Sequence, residues 1–158
     1  MKMSERVEWA LHCCVALVWL GKDEIVSTSK LADKFGLPRA YLNKCLQSLV
    51  RTNVLISTAG QHGGFRLSRD PEKINLLEIV DAVEGPDAAF RCSEIRQKGS
   101  GAVPANECKK PCAITSAMRR AETAWRSELK KQTLATVMGE APRSANNRTI
   151  QWFDAIRA

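Results

Sequence analysis

The sequence predicts a mainly α-helical fold with a small β-hairpin, arranged as a winged helix-turn-helix with a long C-terminal helix. Three observations predict it. Apolar residues recur at helical spacing through the first fifty residues, and the tight turn FGLP interrupts that pattern. The branched apolar stretch VLIST and the alternating FRLS then flank a glycine-rich AGQHGG, which is typical of a hairpin.

The first three helices follow from apolar periodicity and from the residues at their ends. The first helix is predicted over residues 5–20, with Ser4 as a suitable N-cap. A short second helix is predicted over 29–35. After the tight turn, a third helix over 39–51 begins behind Pro38, since proline suits the start of a helix and an apolar stripe follows it.

The hairpin and the later helices complete the pattern. Strands are predicted at 54–58 and 65–68, and a helix at 75–84 that ends before Gly85. Glycine, serine and proline then make a long loop, and loops of this length are commonly functional or disordered. One long helix is predicted from Pro111 to Met138, followed by a short amphipathic segment. The predicted parts are a winged-helix domain 1–85, a cysteine-bearing sensor loop 86–110, and a dimerisation helix with a C-terminal helix 111–158.

The positive charge of the chain is concentrated in one segment. The chain has a formal net charge of +7. Between Ile25 and Arg69 seven basic residues face a single acidic one, Asp33, so this segment holds six of the net charges. A basic surface confined to one module is expected of a protein that binds the phosphate backbone of nucleic acid, and a solvated surface is the alternative.

The helix order and the charge together predict binding to double-stranded promoter DNA. A helix-turn-helix places its second helix in the major groove, and a wing adds contacts to the backbone or the minor groove. The recognition helix is therefore residues 39–51, and the wing is the hairpin. The candidate DNA-binding residues are Thr28, Ser29, Arg39, Tyr41, Asn43, Lys44, Gln47, Arg51, His62, Gly63, Gly64 and Arg66.

The long helix predicts a homodimer. A single winged helix makes few DNA contacts, and such proteins usually pair to bind two half-sites. The apolar stripe of the long helix needs a partner, and a second copy of the same helix is the natural one. The alternative is that the helix folds back on its own winged helix.

The six cysteines divide into two groups. Cys13, Cys14 and Cys45 lie in apolar helical stretches, where free cysteine is usually part of the core. The N-terminal segment has no membrane span and no signal-peptide pattern, so we place the chain in the cytoplasm, where disulfides are seldom structural. Clustered thiols such as Cys108 and Cys112 then point to metal or redox chemistry.

Two segments, TSKLADKFGLPRAYLNKCLQSLVRTNVL and GGFRLSRDPEKINLLEIVDAVEG, resemble the IscR/NsrR-type iron-sulfur transcription regulators, and the likeness covers most of the chain. The resemblance implies a cluster held by cysteines that lie between the winged helix and the long helix. In some members an acidic side chain from the first helix of the partner is a further ligand. Fifteen residues separate Cys92 from Cys108 and three separate Cys108 from Cys112, which departs from the usual spacing of the family.

This departure leads to a mixed ligand set. Glu8 and His12 stand at i and i+4 and so share one face of the first helix, and imidazole can replace thiolate on iron. We expect a [2Fe-2S] cluster held by Cys108 and Cys112 of one chain and by Glu8 and His12 of the other, with Cys92 in reserve. The alternative for Glu8 and His12 is an exposed surface pair.

Several alternatives stay open from the sequence. Zinc is compatible with the same four side chains. Trp9, beside Glu8, is a candidate switch residue or an ordinary packed aromatic. An enzyme is not expected, because the sequence shows no nucleophile-base constellation, phosphate loop or catalytic carboxylate pair. The expected function is a homodimeric transcription regulator whose cluster senses redox state, oxidants or nitric oxide, with a zinc-stapled or cluster-free regulator as the alternative.

Overall fold

A computed structural model describes residues 3–157 and confirms the predicted fold class. Seven α-helices, one two-stranded antiparallel sheet and three short 3₁₀ turns make up this part of the chain. Residues 3–86 together with 129–157 form one compact unit, and residues 87–128 form another. The elements are α1 (Glu5–Leu20), α2 (Thr28–Phe35), α3 (Arg39–Arg51), β1 (Leu55–Thr58), β2 (Gly64–Leu67), α4 (Leu76–Glu84), α5 (Ala113–Lys131), α6 (Leu134–Glu140) and α7 (Arg143–Ala155).

Helix α1 forms the centre of the winged-helix core. Its first half buries Val7 and Ala10 at helical spacing, whereas the five consecutive residues 13–17 are all buried because α3, α4, α6, α7 and β2 surround this part of the helix. Ser4 occupies the N-cap position but does not cap with its side chain. Its backbone N–H instead donates to Glu84 Oε1 at 3.1 Å, and its hydroxyl bonds the same oxygen. This contact fastens the start of α1 to the last turn of α4.

The helix-turn-helix is built as its terminal residues predict. Ser27 caps α2 by accepting a hydrogen bond from the Lys30 N–H at 3.3 Å. Gly36 ends α2 in the left-handed conformation, with φ of 65°, a conformation that glycine adopts without steric cost. Helix α3 then begins after Pro38 and has the predicted bounds. Its inner side is buried through Leu42, Cys45, Leu46, Ser48 and Leu49.

The hairpin is joined to the segment that precedes α2. The two strands pair antiparallel, with Leu55 opposite Leu67 and Thr58 opposite Gly64. Val26 and Phe65 exchange two backbone hydrogen bonds of 3.0 and 2.8 Å, so Val26 extends the ladder by one bridge. A Cβ atom on Gly64 would lie 2.4 Å from the Val26 carbonyl oxygen, which means that only glycine fits there.

The predicted single helix from Pro111 to Met138 is wrong, because the chain breaks it at Gln132. The Gln132 carbonyl accepts a hydrogen bond from the Leu76 N–H at 2.9 Å, and the Leu134 N–H donates to the Ile74 carbonyl at 3.0 Å. These backbone groups pair with the start of α4 instead of continuing α5. Thr133 then caps the new helix α6 by accepting from the Thr136 N–H at 3.1 Å.

The C-terminal helices belong to the winged-helix unit. Leu134 of α6 and Phe153 of α7 are both fully buried in the same core as α1 and α3. Phe153 also packs edge-on against Trp152, with ring centroids 4.9 Å apart. The predicted part 111–158 is therefore shared between the two compact units, and its role in dimerisation stays a prediction.

Candidate DNA interface and cysteine site

The outward side of α3 carries the predicted DNA-binding side chains. Tyr41 is 62% exposed, and Lys44 Nζ lies 5.8 Å from the centroid of its ring. Arg39 forms an ion pair with Asp33 of α2, with Nη2 2.8 Å from Oδ1. That pair is exposed and therefore weak, so Arg39 can exchange its carboxylate for a phosphate at little cost.

Hydrogen bonds between side chains fix the start of α2 relative to α3. The Thr28 hydroxyl donates to Asn43 Oδ1 at 3.1 Å. The hydroxyls of Ser27 and Ser29 lie 2.9 Å apart. The structure thus brings Thr28, Ser29 and Asn43 to one edge of the helix-turn-helix. Their contact with DNA stays a prediction.

A basic cavity of about 360 Å³ opens beside α3, between α1 and the end of α4. The polar residues that line it are Arg6, Asn43, Lys44, Gln47, Ser48 and Arg51. Sequence reasoning missed Arg6 and Ser48. No sequence pattern marks Arg6, which is exposed on α1 and borders the cavity only in the folded chain.

The hairpin predicted as the wing is present, and its two glycines lie against the protein's own backbone. His62 is exposed at the tip, as a DNA contact requires, and Arg66 lies in β2 opposite Ile56. Gly63 and Gly64 are predicted to contact DNA, and glycine allows a close approach of the backbone. A Cβ atom on Gly63 would lie 2.3 Å from the Thr58 carbonyl oxygen, so the protein's own backbone already requires glycine at both positions.

Three cysteines belong to the core, as predicted. Cys13, Cys14 and Cys45 are buried. Burial, together with the neighbouring Cys45 thiol, raises the pKa of Cys13 to about 12. Burial also raises the pKa values of Cys14 and Cys45. At neutral pH these thiols are protonated, and they act as small apolar side chains.

The other three cysteines lie outside the core. Cys92 is exposed, and Cys108, at the end of a 3₁₀ turn, is half-buried. Cys112 directly precedes α5, and its Sγ accepts a hydrogen bond from the Thr115 N–H at 3.4 Å. The Thr115 hydroxyl also lies 3.3 Å from this sulfur. These bonds from Thr115, with a smaller contribution from Arg96, lower the pKa of Cys112.

Arg96 is a residue of this region that sequence reasoning missed. Its guanidinium pairs with Glu94, with Nη2 2.8 Å from Oε2, and it donates to the Lys110 carbonyl at 3.4 Å. The hydrogen bond to Glu94, with smaller contributions from the neighbouring Cys108 and Cys112, raises the pKa of Arg96. Arg96 therefore places a positive charge near Cys112, which favours the thiolate of that cysteine.

The remaining candidate ligands are on α1. Glu8 and His12 are exposed one helical turn apart, and the His12 ring lies 5.9 Å from the Phe35 ring. Trp9 is half-buried and packs on the core. Within residues 3–157 no three histidine, cysteine, aspartate or glutamate side chains come together as a metal site. The structure thus pairs Glu8 with His12 on one helix and leaves Cys108 and Cys112 in the other compact unit.

Comparison with known proteins identifies the family. The model of the Rrf2 family, described as an iron-dependent transcriptional regulator, matches residues 3–140. The chain belongs to the Rrf2 family. YffB of Lactococcus lactis, which carries the name of an HTH-type transcriptional regulator, is 30% identical over 157 residues that cover 99% of each chain.

Two solved structures share the Rrf2 fold. CymR, the global cysteine regulator of B. subtilis, has a TM-score of 0.70 at 20% identity and covers 90% of this chain and 99% of its own. IscR of T. potens has a TM-score of 0.66 at 18% identity, over 91% of this chain and 90% of its own. The predicted resemblance is confirmed, and so is the expectation of a DNA-binding transcription regulator rather than an enzyme.

The candidate donors outside the core of this Rrf2 protein fit an iron-sulfur or zinc site by their chemistry. Two thiols beside an arginine, with one thiol hydrogen-bonded in a way that favours its thiolate, suit a soft metal. The carboxylate and the imidazole on α1 suit iron and zinc alike. Among the described residues, no helix is long and apolar enough to cross a bilayer.

Proposed function

We propose that this Rrf2 protein is a homodimer whose operator affinity is switched by a [2Fe-2S] cluster. Cys108 and Cys112 of one chain and Glu8 and His12 of the other would hold the cluster. The observation that carries the proposal is the position of Cys112, with its sulfur bonded at the start of α5 near Arg96. The family is described as iron-dependent, which agrees with this reading.

The other cysteines support the choice of ligands. Cys13, Cys14 and Cys45 are buried with raised pKa values and cannot offer a thiolate near neutral pH. Cys92 is exposed and fifteen residues separate it from Cys108, whereas only three residues separate Cys108 from the hydrogen-bonded Cys112. We therefore take Cys108 and Cys112 as the two thiol ligands, and the exposed pair Glu8 and His12 as the other donors.

The surface of α5 supports the homodimer. Of its nineteen residues only Thr115 is buried. Ile114 is 68% exposed and Met118 is 42% exposed, one turn apart on the same face. An amphipathic helix of this length is seldom stable without a partner for its apolar face, and a second copy of α5 supplies one.

The proposed ligand set couples the site to DNA because it spans two chains. A [2Fe-2S] cluster supplies a one-electron redox couple when it is bound. Because the donors belong to two chains, oxidation or loss of the cluster alters the forces between the chains. It thereby alters the distance between the two α3 helices. Only one distance fits two half-sites on the same face of a duplex. Trp9 stays our candidate for a side chain that responds to such a change.

Zinc and a cluster-free regulator remain the rival proposals, and one experiment separates them. The protein is purified without oxygen, and its visible spectrum, iron and zinc content and mass in solution are measured. An operator is then selected from a random-sequence duplex pool and titrated before and after oxidation. We expect a brown dimer with two irons per chain and an affinity that changes on oxidation. A colourless protein that holds zinc, or one whose affinity ignores oxidation, would disprove the cluster switch.

Two matched pairs of variants test the ligands. His12→Ala should shift the visible spectrum, whereas His62→Ala, which changes the other histidine of the chain, should not. Cys112→Ser should lose iron, whereas Cys92→Ser should keep it. Retention of an unchanged spectrum by His12→Ala and Glu8→Ala would rule out the ligands from α1. Loss of iron from Cys92→Ser would favour ligation by three cysteines.

Arg51→Gln tests the DNA surface itself. Arg51 ends α3, is exposed, and lies in the predicted position for a backbone phosphate. Its loss should weaken binding to all duplexes and flatten the salt dependence by about 0.9 in the log-log slope per chain. A slope equal to that of the unaltered protein would remove Arg51 from the interface.

We also place this regulator in the cytoplasm, where promoter DNA lies.

A further inference from the structure

The basic cavity between α1, α3 and α4 is lined in part by Arg6, which has no role in the function proposed above. We infer that this cavity binds a phosphate of the DNA backbone, and that Arg6 of α1 contacts that phosphate together with Lys44 and Arg51 of α3. The inference rests on the proposed binding of duplex DNA through α3. It adds the first helix to the DNA surface and assigns Arg6 a role that no motif indicated.

The lining of the cavity has the chemistry of an anion site. Arg6, Lys44 and Arg51 contribute three positive charges, and the residues that line it in the described part of the chain include no carboxylate. Neutral hydrogen-bonding groups on Asn43, Gln47 and Ser48 complete the polar wall. Arginine binds phosphate with two parallel N–H groups, and lysine binds it as a point charge.

Arg6 is held in register with the recognition helix. The Cys45 thiol donates a hydrogen bond to the Arg6 backbone carbonyl at 3.4 Å. The Ser48 hydroxyl donates to the Cys45 carbonyl at 2.7 Å, so this part of α3 is itself ordered. The Arg6 side chain is nevertheless exposed. The Arg6 backbone is therefore held against α3 while its side chain is exposed to solvent, which suits a contact that forms when a ligand binds.

The location favours a DNA phosphate over a free anion. Asn43, Lys44, Gln47 and Arg51 line the cavity and also form the outward side of α3 that is predicted to enter the major groove. When a helix lies in the groove, the phosphates at the groove edge run alongside it, and basic side chains beside the helix contact them. A phosphate contact of this kind positions the protein and does not read sequence.

The test uses the full-length protein, prepared without oxygen, and a fluorescent 30-base-pair duplex of random sequence. Affinity is measured between about 50 and 200 mM KCl. Arg6→Gln should lower the log-log salt slope by about 0.9 per chain. Extrapolation of that slope from a 1 M reference corresponds to an affinity loss of about eightfold at 0.1 M salt per chain. Arg6→Lys, which keeps the charge, should restore most of the slope.

Arg143→Gln is the matched control, because it removes the same charge from an exposed position at the start of α7 that does not line the cavity. An equal loss in both variants would mean that net charge alone is responsible, and would overturn the inference. A log-log salt slope that neither Arg6→Gln nor the charge reversal Arg6→Glu changes would also overturn the inference. Failure of the unaltered protein to bind any duplex would instead contradict the proposed DNA binding.

A free phosphate ion is the alternative ligand for this cavity, and inorganic phosphate tests for it. Inorganic phosphate replaces chloride at constant potassium concentration while duplex affinity is measured, because the affinity depends on the cation concentration. If the cavity binds a phosphodiester of the duplex, inorganic phosphate competes for it, so phosphate should lower the duplex affinity of the unaltered protein more than that of Arg6→Gln. An equal effect of phosphate on both proteins would show that Arg6 contacts no phosphate of the duplex, and would overturn the assignment to DNA.

Discussion

Gly64→Ala should destabilise the winged-helix unit by about 2–4 kcal/mol. The new methyl group would lie 2.4, 2.5 and 2.7 Å from backbone atoms of Val26 and Ser27, which cannot rotate away. Relief requires β2 to move from Val26, with loss of the two hydrogen bonds that Val26 and Phe65 exchange. Each such bond contributes about 0.5–1.5 kcal/mol net. Partial exposure of the buried Val26 and Phe65 side chains adds roughly 1 kcal/mol.

Urea unfolding at one fixed protein concentration measures this loss, since the stability of a dimer depends on concentration. Gly139→Ala is the matched control. No atom lies within 4 Å of the new methyl group, and Gly139 is in helix α6, so alanine there should stabilise by about 0.5 kcal/mol. If Gly64→Ala unfolds within 0.5 kcal/mol of the unaltered protein, the close approach of Val26 does not limit the wing.

Three further outcomes follow from individual contacts. Asn75→Ala should cost about 1 kcal/mol in urea unfolding, because Asn75 Oδ1 caps α4 by accepting from the Glu78 N–H at 3.1 Å, and Asn75→Ser, which keeps an acceptor, should restore most of it. Burial raises the pKa of Cys13 to about 12, so between pH 9.0, the ordinary thiol value, and pH 12 only the unfolded state releases this proton. The free energy of unfolding should therefore fall as the pH rises above 9.0. Cys13→Ala should flatten that fall, and an unchanged pH profile would contradict the burial of Cys13. In metal-free protein, Thr115→Val should move the pH midpoint of Cys112 alkylation upward, because it removes the hydroxyl that helps to lower the pKa of Cys112. Mass spectrometry measures the alkylation, and a midpoint that does not shift would show that the hydroxyl does not act on the sulfur.

Local sequence signals predicted the winged helix well. The bounds of α3 follow from two local signals. Pro38 directly precedes the helix, and the apolar stripe lies within it. The sorting of the six cysteines was also predictable, because Cys13, Cys14 and Cys45 sit at apolar helical positions. These features depend on neighbours in sequence, which periodicity and capping describe.

The features that the sequence did not reveal depend on contacts between distant segments. The break at Gln132 is held by backbone hydrogen bonds to Ile74 and Leu76, whereas the apolar stripe that predicted one long helix continues across it. Gly64 is required by Val26, which comes well before the hairpin. Arg6 and Arg96 became candidates only when the fold showed what surrounds their side chains.

The return of the chain into its first core has a consequence for how the protein can be dissected. The unit that carries α3 is discontinuous, and residues 87–128 are an excursion whose two ends are both anchored in it, after α4 and before α6. A fragment that stops at residue 86 would lack Leu134 and Phe153 and leave a hole at the centre of its hydrophobic core. Excising residues 87–128 and joining residues 86 and 129 through a linker would divide α5 but keep the complete core together with α3 and the hairpin, and would remove both cysteines of the proposed site.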